Sequence, residues 1–306
     1  MIEPYINNEF DLLKKVILGI AENFGGVPEL QDAYDPKSKE HILQNTYPVE
    51  HNLIYELNKF KDVLIKHNVD VLSPENIPNC NQIFTRDVGF VVENQFFISN
   101  MISKRSIELN GIKYILKQIK SANINNIPKS VFVEGGDVIV FNNFLFIGYS
   151  DSNSFDKYEV SRTNEAALEF FANKFPSKKI IGFNLHKSDS KSDENCLHLD
   201  CCFQPLGLGH AILYPGGFKF KEDISFIENL FGKENIIYVD KFEMADMNSN
   251  LFSINKNVIV SEKKFVRINS VLRQKGYIVE DIPFSEIAKM GGLLRCTTLP
   301  LIRNYE

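Results

Sequence analysis

Apolar residues in this chain fall in short runs broken by paired polar positions, and the break recurs in one form. The run Thr85-Arg86-Asp87-Val88-Gly89-Phe90-Val91-Val92 turns at Glu93-Asn94 into Gln95-Phe96-Phe97-Ile98. Gly135-Gly136-Asp137-Val138-Ile139-Val140-Phe141 turns at Asn142-Asn143 into Phe144-Leu145-Phe146-Ile147. His198-Leu199-Asp200-Cys201-Cys202-Phe203 leads through Gly207 and Gly209 to Ala211-Ile212-Leu213-Tyr214, and Asn248 to Ile254 turns at Asn255-Lys256 into Val258-Ile259-Val260. Asn-rich two-residue turns between β-branched and aromatic runs predict hairpins. The first residues of each hairpin are polar where a strand is usually apolar.

Helical stretches, each followed by another strand, separate the hairpins: residues 49–67 then 69–72, 162–175 then 180–183, 223–231 then 236–239, and 263–275 then 277–279. A hairpin, helix, strand unit repeating at roughly fifty residues predicts a closed array or propeller, because each unit buries its apolar face only against its neighbours. The expectation is one pseudosymmetric α/β domain over residues 1–306. The competing architecture is a plain α/β sheet with antiparallel edges. No low-complexity linker marks a boundary.

Charge narrows the partners. Lys and Arg number 34 against 39 Asp and Glu, a net charge of −5 without a basic block, so a nucleic-acid phosphate backbone finds no counterpart. The apolar runs end far short of the roughly 20 residues that span a bilayer. The first residues are acidic and polar, unlike a secretory leader, so a cytoplasmic protein with reduced thiols is expected. Cysteines at 80, 196, 201, 202 and 296 lack the spacing of a disulfide framework.

Candidate chemistry sits at the polar starts of the hairpins. Asp87, Glu134 with Asp137, and His198 with Asp200 occupy equivalent places, and Arg295 stands next to Cys296. In a radial array these places converge on one axis. Buried carboxylates are costly unless they meet a cation, so such a ring suits a positively charged ligand. The plainer reading of each acid, and of Asp137 above all, is a turn cap or a partner of a nearby Arg. Cys296 follows a glycine turn, Gly291-Gly292, and has a cationic neighbour; with His198 and an acid it completes a set for covalent catalysis. A thiol among carboxylates resists ionisation until a cation arrives, so a cationic substrate would activate its own nucleophile.

Cys196, His198, Cys201 and Cys202 lie close enough in the sequence to suggest a zinc site. Strand alternation would put Cys196, His198, Asp200 and Cys202 on one face, but no second Cys or His pair accompanies them, and no metal or cofactor is expected.

Five segments in order resemble the guanidino-group-modifying superfamily of arginine deiminases, arginine dihydrolases, dimethylarginine hydrolases and amidinotransferases. They are Asn81 to Asp87, Val133-Glu134-Gly135-Gly136-Asp137, Ser161-Arg162-Thr163-Asn164, His198-Leu199-Asp200 with Phe203, and Gly291 to Thr297. The resemblance implies a five-bladed α/β propeller, with Cys296 as nucleophile, His198 as general acid and base, and Glu134 holding the histidine. It implies Asp87 and Asp200 as clamps on the guanidinium, Asn81 beside the substrate, and Arg162 on the substrate carboxylate. The substrate implied is arginine or a similar small guanidino compound, with an amidinotransferase or a silent binding module as alternatives and self-assembly left open. Two features depart from the family pattern. Residues 151–159 read as a polar loop able to cover the site, and Asp200 argues against the dimethylarginine hydrolases.

Overall fold

The computed structural model describes residues 1–304 and contains five three-stranded sheets. Each has the same make-up, an antiparallel pair joined to a third, parallel strand. Gly89–Val92, Gln95–Ile98 and Ile124–Asn126 form one sheet, and Val138–Phe141, Phe144–Tyr149 and Lys179–Asn184 the next. Phe203–Pro205, Ala211–Leu213 and Ile236–Tyr238 form a third, and Phe252–Ser253, Val258–Glu262 and Ile278–Ile282 a fourth. The fifth joins distant parts of the chain: Thr298–Asn304 runs antiparallel to Leu12–Leu18, which pairs in parallel with Asp70–Leu72.

Local chemistry sets these elements. Glu93 and Asn142, at the first turn position of their hairpins, take positive φ of 52° and 53°, the twist that a two-residue connection requires. A parallel strand needs a crossover, and helices supply it. In Glu50–Lys66 the buried residues Leu53, Leu57, Phe60 and Leu64 recur at three- and four-residue spacing. They pack Phe60 edge-on against Phe252 and Phe284 at 5.6 and 5.7 Å. That helix stops at His67, where Asn68 turns left-handed at φ 58° and releases the chain into its strand.

Neighbouring sheets are laced around the ring at the starts of their first strands. Arg86 N donates to the Cys296 carbonyl at 3.1 Å and Leu199 N to Asp137 Oδ1 at 2.9 Å. Ser249 donates to the Cys201 carbonyl, and Leu13 N to the Ile254 carbonyl at 2.8 Å. The middle of the ring holds charge: Arg295 donates to Glu9 through two nitrogens, to Asp200 at 2.7 Å, and to the carbonyls of Gly136 and Val138.

Several expectations need correction. The polar hairpin starts are not strand: Thr85–Asp87, Gly135–Asp137 and Leu199–Cys201 are single 3-10 turns that precede the strands. The alternation proposed for Cys196, His198, Asp200 and Cys202 therefore fails. Residues 151–159 are not all loop, since Ser152–Lys157 is a short helix whose N-cap Asp151 accepts from Ser154 N at 2.9 Å. The stretch expected to be helical from residue 162 begins at Ala166, and helix Pro36–Leu43 was not anticipated. Among the described residues no helix is long and apolar enough to cross a membrane.

Candidate active site

The three 3-10 turns matter because each, set before the first strand of its sheet, carries a buried acid: Asp87, Asp137 and Asp200. Gly136 makes room there: a Cβ on it would stand 2.5 Å from His198 Nδ1, so the imidazole lies across bare backbone. His198 Nε2 meets Glu134 Oε2 at 3.0 Å, and its Nδ1 lies 3.7 Å from Asp87 Oδ1. Asp137, from the turn that follows Glu134, holds the backbone next to the histidine through Leu199 N. Lys187 Nζ braces the approach to it by donating to the carbonyls of Cys196 and Leu197 at 2.8 and 2.7 Å.

Cys296 is carried by the turn just before the strand Thr298–Asn304. Gly291 adopts φ 79° after the helix Ser285–Ala288, and Gly292 packs so closely on the Phe84 ring that any side chain would collide. The sulfur lies 3.7 Å from Asp200 Oδ2 and 3.2 Å from Asn250 Nδ2. Burial, then Asp200 and Asp87, push the thiol well above its ordinary range. The cationic neighbour noted in the sequence helps little, since the Arg295 guanidinium is turned to Glu9 and Asp200. Burial pulls His198 down, but Asp87, Asp137 and Glu134 outweigh it and bring the imidazole up to about 9. Burial opposes ionisation of Glu134, yet Arg162, His198 and Arg105 hold it at about 2. These directions favour a thiol on Cys296 and an imidazolium on His198 at neutral pH over a thiolate–imidazolium pair.

All of the expected catalytic side chains gather here, and the structure adds partners that sequence reasoning missed. Arg105 is buried, donates to Asp87 Oδ2 at 2.7 Å, grips Glu108 through two nitrogens at 2.8 Å, and lies 3.6 Å from Glu134. Tyr34 stacks between cations, its ring 5.8 Å from the Arg105 guanidinium and 5.4 Å from that of Arg162. Glu108, three residues after Arg105, was the only local hint. Arg162 Nη2 donates to the Tyr34 carbonyl at 2.8 Å, Nη1 lies 3.6 Å from Glu134, and Nε and Nη1 have no hydrogen-bond partner. Asn81 stands further out, on a cleft of about 230 Å³ also lined by Tyr34, Asp35, Cys80 and Glu108, with its Oδ1 accepting from Ile83 N at 3.1 Å. Cys201 and Cys202 bond within their own turn, to Asp200 and the Leu199 carbonyl.

Oxygens of Asp87, Glu134 and a nitrogen of His198 come within 4.8 Å of one another, a spacing that could hold a metal ion. The Arg105 guanidinium already meets both carboxylates, so their charge is answered from within the chain. An oxygen on each, Asp87 Oδ1 and Glu134 Oε1, is buried without a hydrogen bond and meets only a longer ion contact, from His198 Nδ1 at 3.7 Å and Arg162 Nη1 at 3.6 Å. Two buried carboxylate oxygens that still lack a hydrogen-bond donor fit a planar ligand that carries several N–H donors.

Comparison with known proteins agrees with this chemistry. Residues 28–303 match the family model for N,N dimethylarginine dimethylhydrolase, eukaryotic. The chain belongs to that family. It lies within the guanidino-group-modifying superfamily that the five motifs resemble. The uncharacterized protein YkgA of Bacillus subtilis is 29% identical over 297 residues, 96% of this chain and 94% of YkgA. The bifunctional arginine dihydrolase/ornithine cyclodeaminase AgrE of Nostoc is 24% identical over 238 residues, 76% of this chain and 30% of AgrE. The N-terminal domain of ArgZ, a cyanobacterial arginine dihydrolase solved with substrate, superposes with a TM-score of 0.78 at 19% identity, covering 94% of this chain and 98% of that one. SxtG, an amidinotransferase from Microseira wollei, gives 0.76 at 17% identity over 99% of this chain and 98% of its own. The fold is a five-bladed α/β propeller, shared with the ArgZ domain and SxtG. Asp200 does not set the chain apart from the dimethylarginine family, contrary to the sequence argument. One of its oxygens is engaged by Arg295, so its presence reflects the charge at the ring's middle as much as any substrate.

Proposed function

We propose that this chain is a hydrolase that cleaves the guanidino group of arginine or a close derivative through a covalent intermediate on Cys296. The observation that carries the reading is a buried group of acids around Cys296 and His198, in which Asp87 Oδ1 and Glu134 Oε1 accept no hydrogen bond and have only ion contacts of 3.7 and 3.6 Å. A guanidinium seated there supplies the missing N–H donors, and its positive charge favours the thiolate. Arg162, whose Nε makes no hydrogen bond and whose Nη1 has only the longer contact to Glu134, suits the substrate's carboxylate, and Asn81 lines the way in.

In this mechanism the seated cation drives the Cys296 thiol proton off to bulk water, to be regained when product leaves, and the thiolate attacks the guanidino carbon to form the S–C bond. The C–N bond to the departing nitrogen then breaks, and His198 gives that nitrogen its proton. Glu134 keeps the imidazole charged and aimed until that transfer. Water next adds to the amidino carbon, neutral His198 takes a proton from it, and the C–S bond breaks to restore the thiolate. The Asp87 and Asp200 carboxylates steady the positive charge throughout.

Incubation with arginine, its methylated derivatives and other guanidino compounds, without an added amine, tests the proposal by mass analysis of products. Hydrolysis that disappears in Cys296→Ala and largely persists in Cys201→Ala is expected. Turnover that requires an acceptor amine would make the protein an amidinotransferase, and equal losses in both variants would remove Cys296 from its role.

A further inference from the structure

Asn250 belongs to the polar start of the fourth hairpin and is fully buried. Its Oδ1 accepts from two consecutive backbone N–H groups, Arg295 at 3.0 Å and Cys296 at 3.2 Å. Its Nδ2 is directed to Cys296 Sγ at 3.2 Å, with a longer contact of 3.5 Å to the Asp200 carbonyl. This arrangement fixes which end of the amide faces the sulfur. Flipping the side chain would set its NH₂ against two donors and forfeit both bonds, so the sulfur always meets a donor. A thiolate is a far better acceptor than a thiol, so that donor lowers the energy of one protonation state selectively.

Every charge facing the sulfur bears on the same balance. Asp200 and Asp87 oppose the thiolate, Arg295 favours it weakly from its engaged position, and the Cys201 thiol lies nearby. Asp200 Oδ2, at 3.7 Å, offers an acceptor to the thiol hydrogen. The sulfur thus has one partner suited to each state: Asp200 for the thiol and Asn250 for the thiolate.

We propose that Asn250 is a catalytic residue that receives the Cys296 thiolate and holds its lone pair in the direction of attack, while its oxygen locks the backbone of the nucleophile turn. The role rests on Cys296 being the nucleophile. It requires no group other than those described.

Alkylation of the unliganded protein by iodoacetamide, followed against pH by mass spectrometry, reads the thiolate directly: the S–C bond forms and iodide leaves. Asn250→Ala should raise the midpoint by about one to two pH units, and so slow alkylation about ten- to a hundredfold below it. Asn250→Asp is the same size but turns an oxygen to the sulfur, and should raise the midpoint further than Ala. A merely structural role gives the opposite order, with the isosteric Asp variant the milder. Midpoints unchanged in Asn250→Ala, or higher in Ala than in Asp, would overturn the proposal. If the Asp variant does not fold, as judged by circular dichroism, the Ala midpoint decides alone. Cys296→Ser identifies the alkylated site. Guanidino turnover surviving in Cys296→Ser would refute the nucleophile assignment, an outcome separate from the order of the midpoints.

Discussion

Replacing Glu134 with Gln keeps the side chain's volume and removes one charge 3.0 Å from the His198 imidazole. The histidine is at about 9 against an ordinary 6.5, roughly 3 kcal/mol in favour of the imidazolium. Burial alone would move it the other way, so the whole preference, and more, comes from Asp87, Asp137 and Glu134. With one of three carboxylates gone, and that one the only direct hydrogen-bond partner, the midpoint should fall by at least about one unit. The sign follows for stability. A histidine raised on folding adds stability that is complete below pH 6.5 and is lost as the pH climbs through about 9. The variant should therefore lose this contribution at a lower pH than the parent. The assay is NMR titration of ¹³C-labelled histidines in the unliganded protein, with the His198 signal assigned by its absence in His198→Gln. A parent midpoint at or below 6.5, or one near 9 that stays put in Glu134→Gln, would refute the electrostatic account of the site.

Three more outcomes are expected. A neutral haloacetamide should inactivate the parent slowly at neutral pH, whereas a cationic haloacetamidine should act much faster because it occupies the guanidinium seat; equal rates across the pH range would contradict a substrate-activated thiol. Arg105→Met strands the Asp87 and Glu108 carboxylates in a dry interior and should cost about 3–5 kcal/mol in chemical denaturation, with a change under about 1 kcal/mol excluding a structural part for this ion cluster. Turnover should survive exhaustive chelation; activity lost to the chelator and regained with zinc would assign a metal to the Asp87, Glu134 and His198 donors.

The hairpins were readable because turn chemistry is local: Glu93-Asn94 and Asn142-Asn143 announce their bends without reference to anything distant. The placement of Asp87, Glu134, His198 and Cys296 near one another followed from repetition and from the resemblance to a known superfamily. Three-residue 3-10 turns escaped because a period of two and a period of three cannot be told apart over so short a span. The helix Ser152–Lys157 was hidden for a related reason, being too short to show an apolar face although Asp151 is a good cap. Arg105 was invisible because its pairing with Asp87 depends on the crossover segment folding back over the ring. Asn250 left a trace, since the polar start of its hairpin matched the other three, but its register against Cys296 exists only once the sheets have closed. The pairing of Leu12–Leu18 with Thr298–Asn304 has no sequence signal at all, as neither strand holds a turn that points to the other.

That last pairing ties the timing of chemistry to the completion of folding. Cys296 lies two residues before the strand that docks on Leu12–Leu18, and its carbonyl is held by Arg86 from the adjoining sheet. Partners so remote in sequence meet late, because closing the intervening chain must precede any gain from the contact. Until they do, the turn that carries Cys296 lacks its anchors in the first strand and on Arg86. On the proposed role of Cys296, a half-assembled chain carries its nucleophile on an unanchored turn, and the finished ring is its own licence to react.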